Sequence, residues 1–208
     1  ANDPHLGIQM PSIWYESGLH CEPVGPDCPY NVVGSSFPGA AGVIIGHNDR
    51  IAWGVTNLGP DVQDLFIERI NPENPNQYEV NGRWEDMEVI REEILVAGQD
   101  EPEIVFARLT RHGPIINDVV GGEEEDWSFG WEPLALSWTA LEPGTLMRSV
   151  LLLNRAQDWD QFREALSYWD APSQNFVYAD VDGNIGYQSP GRIPIRRNGD
   201  GSMPVPGW

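Results

Sequence analysis

The chain is short of positive charge, of cysteine and of long apolar runs, and each shortage closes off a class of function. Twelve basic residues stand against 32 acidic ones, a net charge of −20 over 208 residues. Such a surface repels phosphate backbones and anionic lipid, which argues against a nucleic-acid partner. No stretch approaches the roughly 20 consecutive apolar residues of a membrane span, and no basic start followed by an apolar run marks a signal peptide. The four histidines, His5, His20, His47 and His112, show no i, i+4 pairing, so no transition-metal site is expected. Cys21 and Cys28 are the only cysteines. They lie close together in a Gly/Pro-rich loop and can close a disulfide in an oxidising compartment or stay as two free thiols.

What is present is globular. The length fits one domain or a large piece of one, and 40% hydrophobic content is enough to build a core. Acidic clusters such as Glu123–Asp126 and Glu92-Glu93 read as solvated faces. Short apolar or alternating runs bounded by turn formers predict strands at Gly42–Ile45, Ile51–Thr56, Leu65–Arg69, Glu88–Val96, Ile104–Thr110, Ala135–Thr139, Asn175–Ala179 and Asn184–Gln188. Asn81-Gly82 predicts a tight hairpin with positive φ at both residues, and Asp182-Gly183 reads the same way. Helical spacing is confined to Thr145–Asn154 and Asp158–Tyr168, the second with Asp158 as its N-cap. The Arg196–Ser202 stretch and the Pro/Gly-rich end that follows read as extended loop. There is no internal repeat.

Several short blocks carry chemistry in combination: Asn2-Asp3-Pro4-His5, Pro38-Gly39, Gly46-His47-Asn48, Ile51–Asn57, Asp61-Val62-Gln63-Asp64, Arg111-His112-Gly113-Pro114 and Tyr178–Tyr187. In this order they resemble the β chain of the penicillin acylase family, N-terminal-nucleophile amidohydrolases that include cephalosporin and acyl-homoserine-lactone acylases. The resemblance runs from Ala1 to Trp208, so residues 1–208 read as a partial β-chain domain. It implies an α+β fold: the strand-rich part of an αββα sandwich, with antiparallel sheets and a helical layer.

The resemblance also implies a reaction. A terminal serine, expected just upstream of the Asn-Asp-Pro-His block and outside this chain, would use its own α-amine as base to cleave an acyl side-chain amide. Ala1 has no hydroxyl, so the fragment alone is expected to be inactive. His5 stands where penicillin-selective members carry glutamine and where cephalosporin and homoserine-lactone acylases carry histidine; it would help hold the nucleophile. Asn57 matches the residue whose backbone N–H is one half of the oxyanion hole, the other half lying beyond Trp208. Leu6, Ile45, Val55 and Trp138 match positions lining the acyl pocket. Asp61, Asp64 and the carbonyls of Gln63 and Gly201 match part of a structural calcium site, incomplete here because calcium takes six to eight oxygens. No cofactor is implied for catalysis. The implied partners are a small acyl-amide substrate, the α chain and the rest of the β chain, with self-association of the fragment through a bared strand edge as a further expectation. The implied location is periplasmic or secreted. The rival reading of the composition is a non-catalytic, acidic, Trp-rich β module that binds a ligand through aromatics.

Overall fold

The computed structural model describes residues 2, 6–117 and 132–208. The chain divides into two compact units, 1–60 with 142–193 and 61–141 with 194–208. The architecture is α+β: antiparallel sheets with two α-helices among the described residues.

The first unit holds one six-stranded antiparallel sheet. Its strands are β1 (Tyr15–His20), β2 (Asn31–Ser36), β3 (Ile45–Asn48), β4 (Ile51–Asn57), β13 (Gln174–Asp180) and β14 (Ile185–Gln188), adjacent in that order. Helices α1 (Leu146–Arg155) and α2 (Trp159–Leu166) pack on it. The helical spacing predicted their inner faces: Val150, Leu153, Phe162, Ala165 and Leu166 are each at most 1% exposed and share a core with Val32, Val43, Ile51 and Phe176. Asp158 caps α2 as expected, its Oδ1 accepting the Gln161 N–H at 2.9 Å. Phe162 meets Phe176 and Tyr178 across the helix–sheet interface, and Trp159 and Trp169 add edge contacts to Tyr178 and Phe176.

One polar knot fixes the helices to the sheet. Asn154, 1% exposed near the end of α1, accepts the Val43 N–H and donates to the Val43 carbonyl, both at 2.7 Å. Asn48 donates to the Asn154 and Ala156 carbonyls at 3.2 and 2.7 Å, while its Oδ1 accepts the N–H groups of Arg50 and Ile51. The Gly46-His47-Asn48 block therefore closes the β3–β4 turn and caps the end of α1 at once.

This knot corrects one expected strand. Pairing starts at Ile45 rather than Gly42, because Gly42 turns the chain at φ +95° and Val43 is bonded to a side chain instead of a strand. β1 and β2 are additions to the predicted set; their hairpin is closed by a Cys21–Cys28 disulfide. The second predicted turn also differs. Gly183 is at φ +89° but Asp182 is not left-handed; Asp180 organises the bend instead. Its carboxylate accepts from the N–H groups of Asp182 and Asn184, the Asn184 amide and the Tyr178 hydroxyl, all within 2.8–3.0 Å. The Asn184 amide, with these other donors, pulls the Asp180 pKa down to about 2. Burial, aided by Asp180, pushes Tyr178 up to about 12.

Among its described residues the second unit carries three small sheets, built from β5 (Gln63–Ile67), β6 (Ile70–Asn71), β7 (Asn74–Val80), β8 (Arg83–Asp86), β9 (Glu88–Ile94), β10 (Glu103–Thr110), β11 (Gly113–Pro114), β12 (Leu134–Trp138) and β15 (Val205–Pro206). Asn81 and Gly82 take the expected positive φ, +50° and +76°, between β7 and β8. The segment read as extended loop at the end forms one short strand, β15, parallel to β5. Next to it, Glu68, 1% exposed, hydrogen-bonds His112 Nδ1 at 2.7 Å and His112 stacks on Phe66, while Arg111 donates to the Gly207 carbonyl beside the strand.

Two outcomes follow from these bonds. Asn154→Ala leaves the buried Val43 amide and carbonyl without partners and lowers unfolding stability by about 1–3 kcal/mol, read as a lower urea midpoint. The depressed Asp180 pKa makes its contribution full above the unfolded carboxylate value of about 3.9. The melting-temperature gap between wild type and Asp180→Ala therefore stays constant above that pH and closes as pH falls towards about 2.

Candidate functional site

The first unit contains a cavity of about 480 Å³ between the strand ends and α1. Leu6, Trp14, Phe37, Ile44, Val55, Met147 and Trp169 form most of its wall, Thr56, Asn57 and Gln174 give it a polar end, and no charged residue lines it among the described residues. Trp14 and Phe37 pack with ring centroids 4.0 Å apart and planes tilted by 31°. In a chain of net charge −20, an uncharged wall suits an apolar group fixed by a few hydrogen bonds at one end.

The polar end is held from both sides. Gln174, paired opposite Asn57 in the β4–β13 ladder, donates to Asn57 Oδ1 at 2.8 Å. Asn175 donates to the Asn57 carbonyl at 3.0 Å and to Thr56 Oγ1 at 3.1 Å, and accepts the Tyr187 hydroxyl at 2.5 Å. On the other side Asn2 Oδ1 accepts the Val55 N–H at 2.8 Å. That approach requires Gly54, since a Cβ there would sit 2.6 Å from the Asn2 oxygen. Asn2 Nδ2 and Trp14 Nε1 are buried without a partner among the described residues.

Of the residues singled out from sequence, Leu6, Val55 and Asn57 come together at this cavity. Ile45 does not line it: strand alternation turns Ile45 into the core, 9% exposed, and places its neighbour Ile44 on the wall. Trp138 lies on β12 in the second unit, 37% exposed, and is not among the lining residues. His5 lies outside the described residues. Trp53 is buried and donates to the Ile44 carbonyl. Gln174 and Asn175 carry no local sequence mark of a role at the cavity, and Asn2 is marked only as part of the Asn2–His5 block. The available signal was Gly54 inside a strand, the mark of a close backbone approach.

The Asp61–Asp64 turn is in the second unit, and a guanidinium occupies it. Arg196 Nε lies 2.8 and 3.1 Å from the two Asp64 oxygens, and Nη2 is 3.4 Å from Asp61 Oδ2. These contacts, the Asp64 hydrogen bond foremost, raise the Arg196 pKa above its ordinary value. Gln63 donates its N–H to Asp61 Oδ1 at 3.2 Å.

The profile of the family described as penicillin amidase matches residues 1–208. The chain belongs to the penicillin amidase family. Acyl-homoserine lactone acylase QuiP of Pseudomonas fluorescens Pf-5 is 35% identical over 210 residues, covering 100% of this chain and 24% of that protein. Penicillin G acylase of Escherichia coli is 32% identical over 208 residues, covering 99% of this chain and 23% of that one. A solved structure of thermostable penicillin G acylase from Alcaligenes faecalis superposes with a TM-score of 0.79 at 30% identity, over 98% of this chain and 34% of that chain. This penicillin amidase chain thus spans about a quarter of the length of the curated relatives it matches, and its antiparallel α+β fold is that of the acylase.

Proposed function

We propose that the complete polypeptide hydrolyses an acyl amide, and that this chain supplies the acyl-binding wall and one oxyanion donor. The observation that carries the reading is the uncharged, largely apolar cavity ending on Thr56, Asn57 and Gln174. A flexible acyl chain or ring fills the apolar part, which leaves its carbonyl at the polar end.

The chemistry requires a nucleophile from outside residues 1–208. A terminal serine attacks the carbonyl carbon, its proton passing to its own α-amine, and the negative charge gathers on the carbonyl oxygen. The Asn57 backbone N–H donates to that oxyanion. Collapse breaks the C–N bond as the amine leaves with the shuttled proton, and water then cleaves the acyl ester. The bonds from Gln174 and Asn175 hold the Asn57 peptide still, so little reorganisation accompanies charge development. His5 positions the serine. The substrate class favoured first is the N-acyl-homoserine lactone, by the relatives' names, with penicillin-type side chains second. The α chain and the rest of the β chain complete the site. The Cys21–Cys28 disulfide supports a periplasmic or secreted location.

The test is hydrolysis by the complete polypeptide of a panel of N-acyl-homoserine lactones and aryl-acetyl amides, read by release of the free amine. Amine release from at least one class is expected; silence across the panel refutes the reading. Asn57→Ala keeps the N–H and retains kcat within about tenfold, whereas Asn57→Pro removes the donor and costs about 10²–10³ in kcat.

A further inference from the structure

The turn that resembles half a calcium site fails a test of fit. Calcium needs six to eight oxygens converging at about 2.3–2.6 Å. Here the space between the carboxylates of Asp61 and Asp64 is filled by the Arg196 side chain, which bonds Asp64 through Nε and reaches both the carboxylate and the carbonyl of Asp61 through Nη2, the latter at 3.3 Å. Gly201, the expected fourth ligand, is pressed on the same guanidinium: a Cβ at that position would lie 2.6 Å from Arg196 Cζ and Nε. The glycine therefore makes room for the arginine. Arg196 and Asp64 are only 17% and 20% exposed at the side chain, so the pair is shielded from solvent. No group of three or more His, Cys, Asp or Glu that could hold a metal occurs among the described residues.

Charge and space point the same way. A guanidinium is permanently charged and presents its donors in a planar fork that spans two carboxylates. A divalent ion entering the same gap must displace it and leave a partly shielded cation unpaired.

We propose that Arg196 is the resident cation of this turn, holding the loop before β5 to the 196–201 segment in the place a calcium ion would take. The closure is then built into the polypeptide and independent of divalent metal.

The test uses the complete polypeptide after dialysis against a calcium chelator. Metal content is measured by plasma mass spectrometry and melting temperature is recorded with and without excess calcium, for the wild type and for Asp64→Asn. Expected is either no bound calcium or calcium retained equally by both proteins, with no calcium-dependent melting shift that Asp64→Asn removes. Calcium bound by the wild type and lost in Asp64→Asn overturns the proposal. A second measurement stands apart from metal: Arg196→Ala and Asp64→Asn each lower the melting temperature, and the double variant melts no lower than Arg196→Ala alone. Additive losses, which mean that the two side chains do not act on each other, overturn it as well. Neither readout depends on acylase activity, so the outcome is separable from the proposed function.

Discussion

The helix layer of the first unit depends on Asn154. An apolar face alone lets a helix slide or roll on a sheet, because burial is non-directional. A carboxamide that takes both the N–H and the carbonyl of Val43 allows one placement only. Asn48 repeats the device from the sheet side by donating to the carbonyls at the end of α1. With α1 fixed, Met147 and Val150 line the cavity together with Ile44 and Val55, which gives it a defined wall. The order of dependence runs from buried amide to helix position to binding space.

Charge is managed by a similar economy. Every basic side chain in the sequence is an arginine, and some of them serve two acids each. Arg192 reaches Glu142 and Asp170 at 3.0 and 2.9 Å, and Arg196 reaches Asp61 and Asp64. A chain with 32 acids and 12 cations gains from a group that can bridge two carboxylates. Exposed pairs such as Arg50–Asp182 contribute little to stability.

Much of this was legible in sequence, and the reasons for the remainder are physical. The helices were readable because Val150, Leu153, Phe162 and Leu166 repeat at helical spacing over one buried face. The strand β13 and the β7–β8 turn were readable for their alternation and their Asn-Gly pair. β1 and β2 were not, since most of β1 faces solvent and its sequence carries no apolar alternation. Ile45 was placed on the wall where Ile44 belongs, a one-residue shift that alternation converts into the opposite face. Arg196 could not be paired with Asp64 by spacing, since they stand 132 positions apart in sequence. The Asn57 clamp was invisible for the same reason, because Gln174 and Asn175 arrive from the far side of the chain.

The break in the sheet beside Val55 has a consequence for how a hollow can exist in a β structure at all. Continuing the β3–β4 register, which pairs Gly46 with Trp53, would set Ile44 opposite Val55. Instead the Ile44 amide goes to Ser35 and its carbonyl to the Trp53 indole. That divergence opens the space and strands one main-chain amide at its lip. The carboxamide of Asn2 acts as a single-residue surrogate strand there, so the sheet can part around a guest without leaving an unmet donor behind.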